Sequence, residues 1–136
     1  MSLLFLDTSY VIAVEAEDDQ HHKEAISHWQ DLCSPKAPDL VTTSFVFDEI
    51  VTFFNSRDLH GKAVETGTRL LASPSVRFIH VNEALFFDGW HYLQRHHDKT
   101  YSLTDCISFL IMERFKISLA LGFDKHFVQA GFRTPF

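Results

Sequence analysis

Apolar residues in this chain fall in two patterns: short continuous runs, and longer stretches where they recur every three or four positions. Leu3-Leu4-Phe5-Leu6 is a run of the first kind and predicts a short buried strand. Residues 8–17 and 21–33 predict helices, the second with apolar positions Ala25, Ile26, Trp29 and Leu32. Pro35 and Pro38 break that pattern, and Leu40–Thr43 predicts a second strand. Helices are expected at 44–57 and 62–72, the latter stopped by Ser73-Pro74. Val76–Val81 predicts a strand, 82–96 a helix, and the polar His96-His97-Asp98-Lys99 a break before a helix at 103–116. Ile117–Leu121 predicts another strand, closed by Gly122, with a short helix from Asp124 and a last short strand after Gly131. Strands alternating with helices predict one α/β domain on a mostly parallel sheet.

That alternation places four acids. Asp7 ends the first strand, and Asp124 follows the strand at 117–121 after a Gly-Phe turn. In an open parallel sheet the carboxyl ends of all strands share one edge, where sites form. Crossover helices start at that same edge. Glu49 lies in the first turns of the helix after the second strand, and Asp105 in the first turn of the helix starting near 103. Each acid also has a plain structural reading. Asp7 and Asp124 suit helix caps, and Ser102-Leu103-Thr104-Asp105 fits a capping box. For Glu49 the plain reading is an edge position beside an apolar helix stripe, since its neighbours at i−4, i−3, i+1 and i+4 are Phe45, Val46, Ile50 and Phe53. A carboxylate among such neighbours is costly unless paired or coordinating a metal. Four carboxylates at one edge repel one another and call for raised pKa values or a cation. Hard divalent cations take oxygen ligands, and phosphodiester hydrolysis is the natural chemistry of such a site.

Composition narrows this further. The chain has 136 residues, suiting one domain, and a hydrophobic share of 46%, too high for disorder. Most of the fourteen Phe are expected in the core. A net charge of −6 argues against passive nucleic-acid binding but not against a nuclease whose cations reverse the local field. Cys33 and Cys106 lack metal-ligand spacing, which argues for a reducing compartment, with Cys106 a buried small residue. The opening residues suit neither a signal peptide nor a membrane span, so a cytoplasmic location is expected. The nine His include adjacent pairs but no i, i+4 pair joined to a Glu, which disfavours a zinc-protease site. Only His22 and His126 sit among acidic or apolar residues in a way that suggests more than a surface place.

The same acids carry a family resemblance. Phe5-Leu6-Asp7-Thr8-Ser9, Thr43-Ser44 through Glu49, Ser102-Leu103-Thr104-Asp105 and Gly122-Phe123-Asp124-Lys125-His126-Phe127 span nearly the whole chain in order. Together they resemble the PIN-domain nucleases, and among those most closely the VapC-type toxins of bacterial toxin–antitoxin pairs. The resemblance implies a central parallel five-stranded sheet flanked by helices. It implies a Mg²⁺ or Mn²⁺ site made by Asp7, Glu49, Asp105 and Asp124, supported through hydrogen bonds by Ser9 and Thr104. Asp7 and Asp105 are then the main ligands, with Glu49 and Asp124 ligating directly or through waters to activate a water for attack. Glu49 fits the family pattern better than its neighbour Asp48, which one helical step turns elsewhere. Asp98 reads as a solvated loop acid. The implied substrate is single-stranded or looped RNA, the implied partner an antitoxin protein, and the implied assembly a homodimer. Lys99, Arg95 and Lys125 lie near the edge in sequence and are candidates for holding phosphates, although each also suits a solvated charge.

Two other acid-bearing architectures fit less well. An aspartyl-phosphate phosphatase needs an acid two residues after Asp7, where Ser9 stands. A receiver domain needs its acid at the end of a middle strand, and Val76–Val81 ends in Asn82-Glu83. The alternative that remains is a PIN-like module that binds RNA or protein without cutting.

Overall fold

The computed structural model describes residues 3–136. Its strands are β1 (Leu3–Leu6), β2 (Asp39–Thr43), β3 (Val76–Ile79) and β4 (Ala120–Leu121). Its helices are α1 (Thr8–Glu15), α2 (His22–Leu32), α3 (Ser44–Asn55), α4 (His60–Ala72), α5 (Glu83–Arg95), α6 (Leu103–Arg114) and α7 (His126–Gln129). All pairings are parallel, in the order β3-β2-β1-β4. Phe5 sits opposite both Val41 of β2 and Ala120 of β4. The first crossovers build the sheet outward on one side of β1, and β4 returns to its other side. The order therefore reverses between β1 and β4, and the crevice beyond their carboxyl ends is where such sheets bind ligands.

Helix starts are written into the residues at the strand exits. Asp7, directly after β1, caps α1 by accepting from the Ser9 amide. Thr43, the last residue of β2, caps α3 through its hydroxyl, which accepts from the Val46 amide at 3.2 Å. Asn82 caps α5, accepting from the Leu85 amide at 2.9 Å. Ser102 and Asp105 form a reciprocal capping box at the head of α6.

Between the layers lie Phe5, Tyr10, Val41, Val46, Ile50, Phe54, Ile107, Phe109, Met112, Leu121 and Phe127, each at most 1% exposed. Helix α6 is buried from Thr104 through Phe109, so its apolar residues run round the helix rather than along a stripe. Helix α5 lies so close to it that a Cβ on Gly89 would stand 2.5 Å from Ile107 Cγ1. No helix among the described residues is long and apolar enough to cross a membrane.

Three expectations are corrected. Among the described residues the sheet has four strands rather than five, and β4 is two residues long rather than the predicted 117–121. Lys116 takes a left-handed backbone (φ 56°), and the next amide, Ile117, donates back to the Met112 carbonyl at 2.8 Å. Closing α6 in this way uses the residue that would have begun the strand. In place of the expected last strand, a single parallel bridge joins Leu119 to Arg133. Pro135, two residues on, has no N–H to extend a ladder. As for the Phe residues, Phe5, Phe54, Phe109 and Phe127 are fully buried and Phe45, Phe53, Phe123 and Phe132 pack against the core, whereas Phe86, Phe87, Phe115 and Phe136 are exposed.

Candidate active site

Asp7 leaves β1 at the reversal point and is 6% exposed. Its Oδ2 accepts from the Ser9 hydroxyl at 2.8 Å and from the Ser9 amide at 3.3 Å. The Ser9 hydroxyl in turn accepts from the Phe123 amide at 2.9 Å, which ties the loop after β4 to the start of α1. Gly122 makes this closeness feasible, because a Cβ there would stand 3.1 Å from Asp7 Cβ and Oδ2. Burial pushes the Asp7 carboxyl from an ordinary 3.8 up to about 7; the Ser9 hydroxyl opposes the rise and the Asp105 charge adds to it.

Asp105, 8% exposed, stands in the first turn of α6. Its Oδ2 accepts from the Ser102 amide at 3.1 Å and lies 2.8 Å from His126 Nδ1. That same nitrogen lies 3.3 Å from Asp124 Oδ1, which also accepts from the His126 amide at 2.9 Å. Asp105, Asp124 and His126 each bring a ligand atom within 4.8 Å of the others, a spacing that could hold a metal ion. His126 is positioned on its far side by Thr100, whose hydroxyl lies 3.2 Å from Nε2, and by the edge-on ring of Tyr101 at 5.4 Å. Helix α7 begins at His126, so Asp124 precedes the helix and closes a turn onto the His126 amide.

Glu49 enters from α3 and accepts from the Thr8 hydroxyl at 2.7 Å, joining the residue next to Asp7. Asp48 is exposed on another face of α3, where it meets Thr52 at 3.4 Å. Of the four acids expected from the sequence, Asp105 and Asp124 lie together beside His126, and Asp7 is coupled to Asp105 by charge. Glu49 stands apart from the three-residue cluster and is held through Thr8. The capping roles of Asp7 and Asp105 are also present, so cap and site coincide in the same carboxylates.

Of the expected supporting residues, Ser9 bonds Asp7 directly. Thr104 is buried on α6, and its carbonyl accepts from the Ser108 hydroxyl at 2.8 Å. The residue the sequence reading left out of the site is His126. Its signal was the Asp-Lys-His spacing, which puts an imidazole two residues beyond an acid at a strand exit. His22 instead holds two helices together, its Nδ1 lying 2.7 Å from the Ala13 carbonyl. Lys125 is exposed, Lys99 pairs loosely with Asp98 at 3.7 Å, and Arg95 lies over the Tyr92 ring at 5.8 Å. Cys106 is buried behind Asp105, and burial pushes its thiol up to about 11, away from nucleophile character.

A parallel sheet with buried acids at its reversal point defines a class of acid-cluster α/β proteins, and the PIN domain family model matches residues 4–133. This chain belongs to the PIN domain family. It is 35% identical over 130 residues to the 23S rRNA-specific endonuclease VapC20 of Mycobacterium tuberculosis strain H37Rv, covering 96% of this chain and 95% of that protein. The crystal structure of VapC20 from Mycobacterium tuberculosis, a sarcin-ricin loop cleaving toxin, superposes with a TM-score of 0.85 at 34% identity over 96% of each chain. FitAcB from Neisseria gonorrhoeae shares the fold, with a TM-score of 0.65 at 16% identity over 96% of this chain and 95% of that one.

Proposed function

We propose that this chain is a divalent-metal-dependent endoribonuclease and the toxin of a toxin–antitoxin pair. The observation that carries this is Asp7: an acid with a carboxyl pushed up to about 7, buried at the sheet's reversal point and coupled to a second buried acid. Holding a charge there costs stability, and a cation removes the cost. The donor set fits Mg²⁺ or Mn²⁺, since Asp7, Asp105 and Asp124 offer carboxylate oxygens and no thiolate faces them. When bound, such an ion supplies positive charge for the scissile phosphate and lowers the pKa of a coordinated water.

The chain's own residues do the rest. Asp7 and Asp105 would hold the ion, with Asp124 and Glu49 as further ligands directly or through water. Ser9 fixes the Asp7 oxygen and, through the Phe123 amide, the approach of the loop carrying Asp124. His126, with one ring nitrogen near both Asp105 and Asp124, orients the two carboxylates together. Thr104, next to Asp105 on α6, is buried with it and steadies the start of that helix. No Ser, Cys or His nucleophile is needed.

Identity of 35% over nearly the whole chain supports a target in large-subunit ribosomal RNA, of the kind that VapC20 cuts. Kinship with a toxin also supports an antitoxin partner and a homodimer.

The test is cleavage of purified ribosomes and of total RNA with Mg²⁺ or Mn²⁺, with and without EDTA. Wild type is compared with Asp7→Asn and Asp105→Asn. Discrete fragments that vanish with EDTA and in both variants are the expected result, and end mapping then locates the cut. Folded protein that cuts neither substrate with any divalent ion would overturn the proposal. Co-purification with the product of a neighbouring small gene tests the antitoxin, and light scattering tests the dimer.

A further inference from the structure

Beside the acids runs a column of rings that no catalytic role explains. The His21 and Phe123 rings lie face to face, 4.2 Å apart and 3° from parallel. Phe136 also stacks on Phe123, 4.1 Å away at 19°. Tyr10 flanks both phenyl rings, and its hydroxyl is 2.8 Å from His28 Nδ1. In the core Phe109 meets Phe127 at 87° and Tyr101 at 78° and stacks on Phe132 at 30°, so both arrangements occur there, as is usual between aromatic side chains. The outer rings of the column also stay in contact with water: the His21 side chain is 35% exposed and Phe136 is 43% exposed.

The middle ring belongs to the residue between Gly122 and Asp124, and its amide is bonded to the hydroxyl that holds Asp7. The column and the acids are therefore rigidly connected. Net charge is −6, and of the three basic residues expected to hold phosphates Lys99 pairs with Asp98 and Arg95 lies over the Tyr92 ring. Phosphate attraction is then a weak source of affinity for RNA. Unpaired bases are instead commonly gripped by stacking on aromatic faces, which tolerates an acidic protein.

We propose that His21, Phe123 and Phe136 form a stacking platform for an unpaired base of the RNA substrate, which sets the neighbouring phosphodiester against the acids. This inference rests on the nuclease reading and specifies how that site grips its substrate. His21 and Phe136 are the positioning residues that the RNA touches. Removing the His21 ring leaves α2 capped as before, because that side chain makes no cap hydrogen bond.

The probe is a hairpin RNA that wild type cuts, carrying 2-aminopurine beside the mapped cut. It is bound to Asp7→Asn protein in EDTA and to the same protein with His21→Ala or Phe136→Ala. Stacking quenches the probe in the parent, and one or both alanine variants lose the quench and bind about five- to 150-fold more weakly. In the cleaving background the same change raises KM while kcat stays within about twofold. His21→Phe and Phe136→Trp retain the quench and the affinity. Wild-type cleavage with no quench, and with KM and affinity unchanged in both alanine variants, would overturn the platform and leave the nuclease standing. Failure of wild type to cut any RNA would remove both.

Discussion

Replacing Asp7 with asparagine should stabilise the metal-free protein at alkaline pH, the reverse of what removing a helix cap usually does. Burial holds the folded-state carboxyl at about 7 against an ordinary 3.8. The folded state therefore keeps a proton that the unfolded chain has already released. Stability from this group is complete below pH 3.8 and is lost as pH rises through about 7. A gap of about three units at 1.36 kcal/mol each is worth about 4 kcal/mol. The side-chain amide of the Asp7→Asn variant never charges, so the variant escapes that loss. That amide still accepts from Ser9, but as a neutral group it bonds less strongly, by about 1 kcal/mol. At pH 8 in EDTA the variant should exceed wild type by about 2–3 kcal/mol, or about 10 °C in Tm for a domain of this size. At pH 4 the order should reverse or vanish. Excess Mg²⁺ should raise wild type alone. The assay is a thermal melt of both proteins from pH 4 to 8, with EDTA and with Mg²⁺, and the difference between them cancels the titrations that are not coupled to Asp7. A variant less stable than wild type at pH 8 in EDTA, or a difference independent of pH, would refute the account of Asp7 as a charge stored for a cation.

Other outcomes follow from the same geometry. Ser9→Ala removes the donor to Asp7 and the acceptor for the Phe123 amide; it should cost about 1–3 kcal/mol by melting and lower cleavage about 10- to 100-fold. Glu49→Gln should lower cleavage about 10- to 100-fold in a fixed-time RNA assay, whereas Asp48→Asn, on the exposed face of α3, should leave it unchanged. Gly89→Ala places a methyl 2.5 Å from Ile107 Cγ1 and should cost about 1–3 kcal/mol in denaturant unfolding, with no change in the cut position.

The acids were legible because each follows a local rule. Asp7 closes an apolar run, Ser102-Leu103-Thr104-Asp105 is a capping box, and Glu49 is an acid among Phe45, Val46, Ile50 and Phe53. The edge argument then needed only the direction of parallel strands. The weak points lay where local pattern and tertiary pairing part company. Ile117 to Leu119 look like strand, yet the first of them is consumed in closing α6. The Phe residues look like core, yet a domain this small has little interior and leaves several on its surface.

By itself, the amino-acid sequence determined the alternation of elements, the cap at Asp7 and the capping box of Ser102 and Asp105, and which acids stand at the strand exits and helix starts. These depend on residues within a few positions of one another, where periodicity and side-chain chemistry act directly. Only the tertiary structure decided that Glu49 rather than Asp48 meets Thr8, and that His126 lies between Asp105 and Asp124. It alone showed that burial lifts Asp7 to about 7, and that His21, Phe123 and Phe136 stack in one column. Those facts depend on distance and dielectric between segments far apart in the chain, quantities that no local pattern encodes.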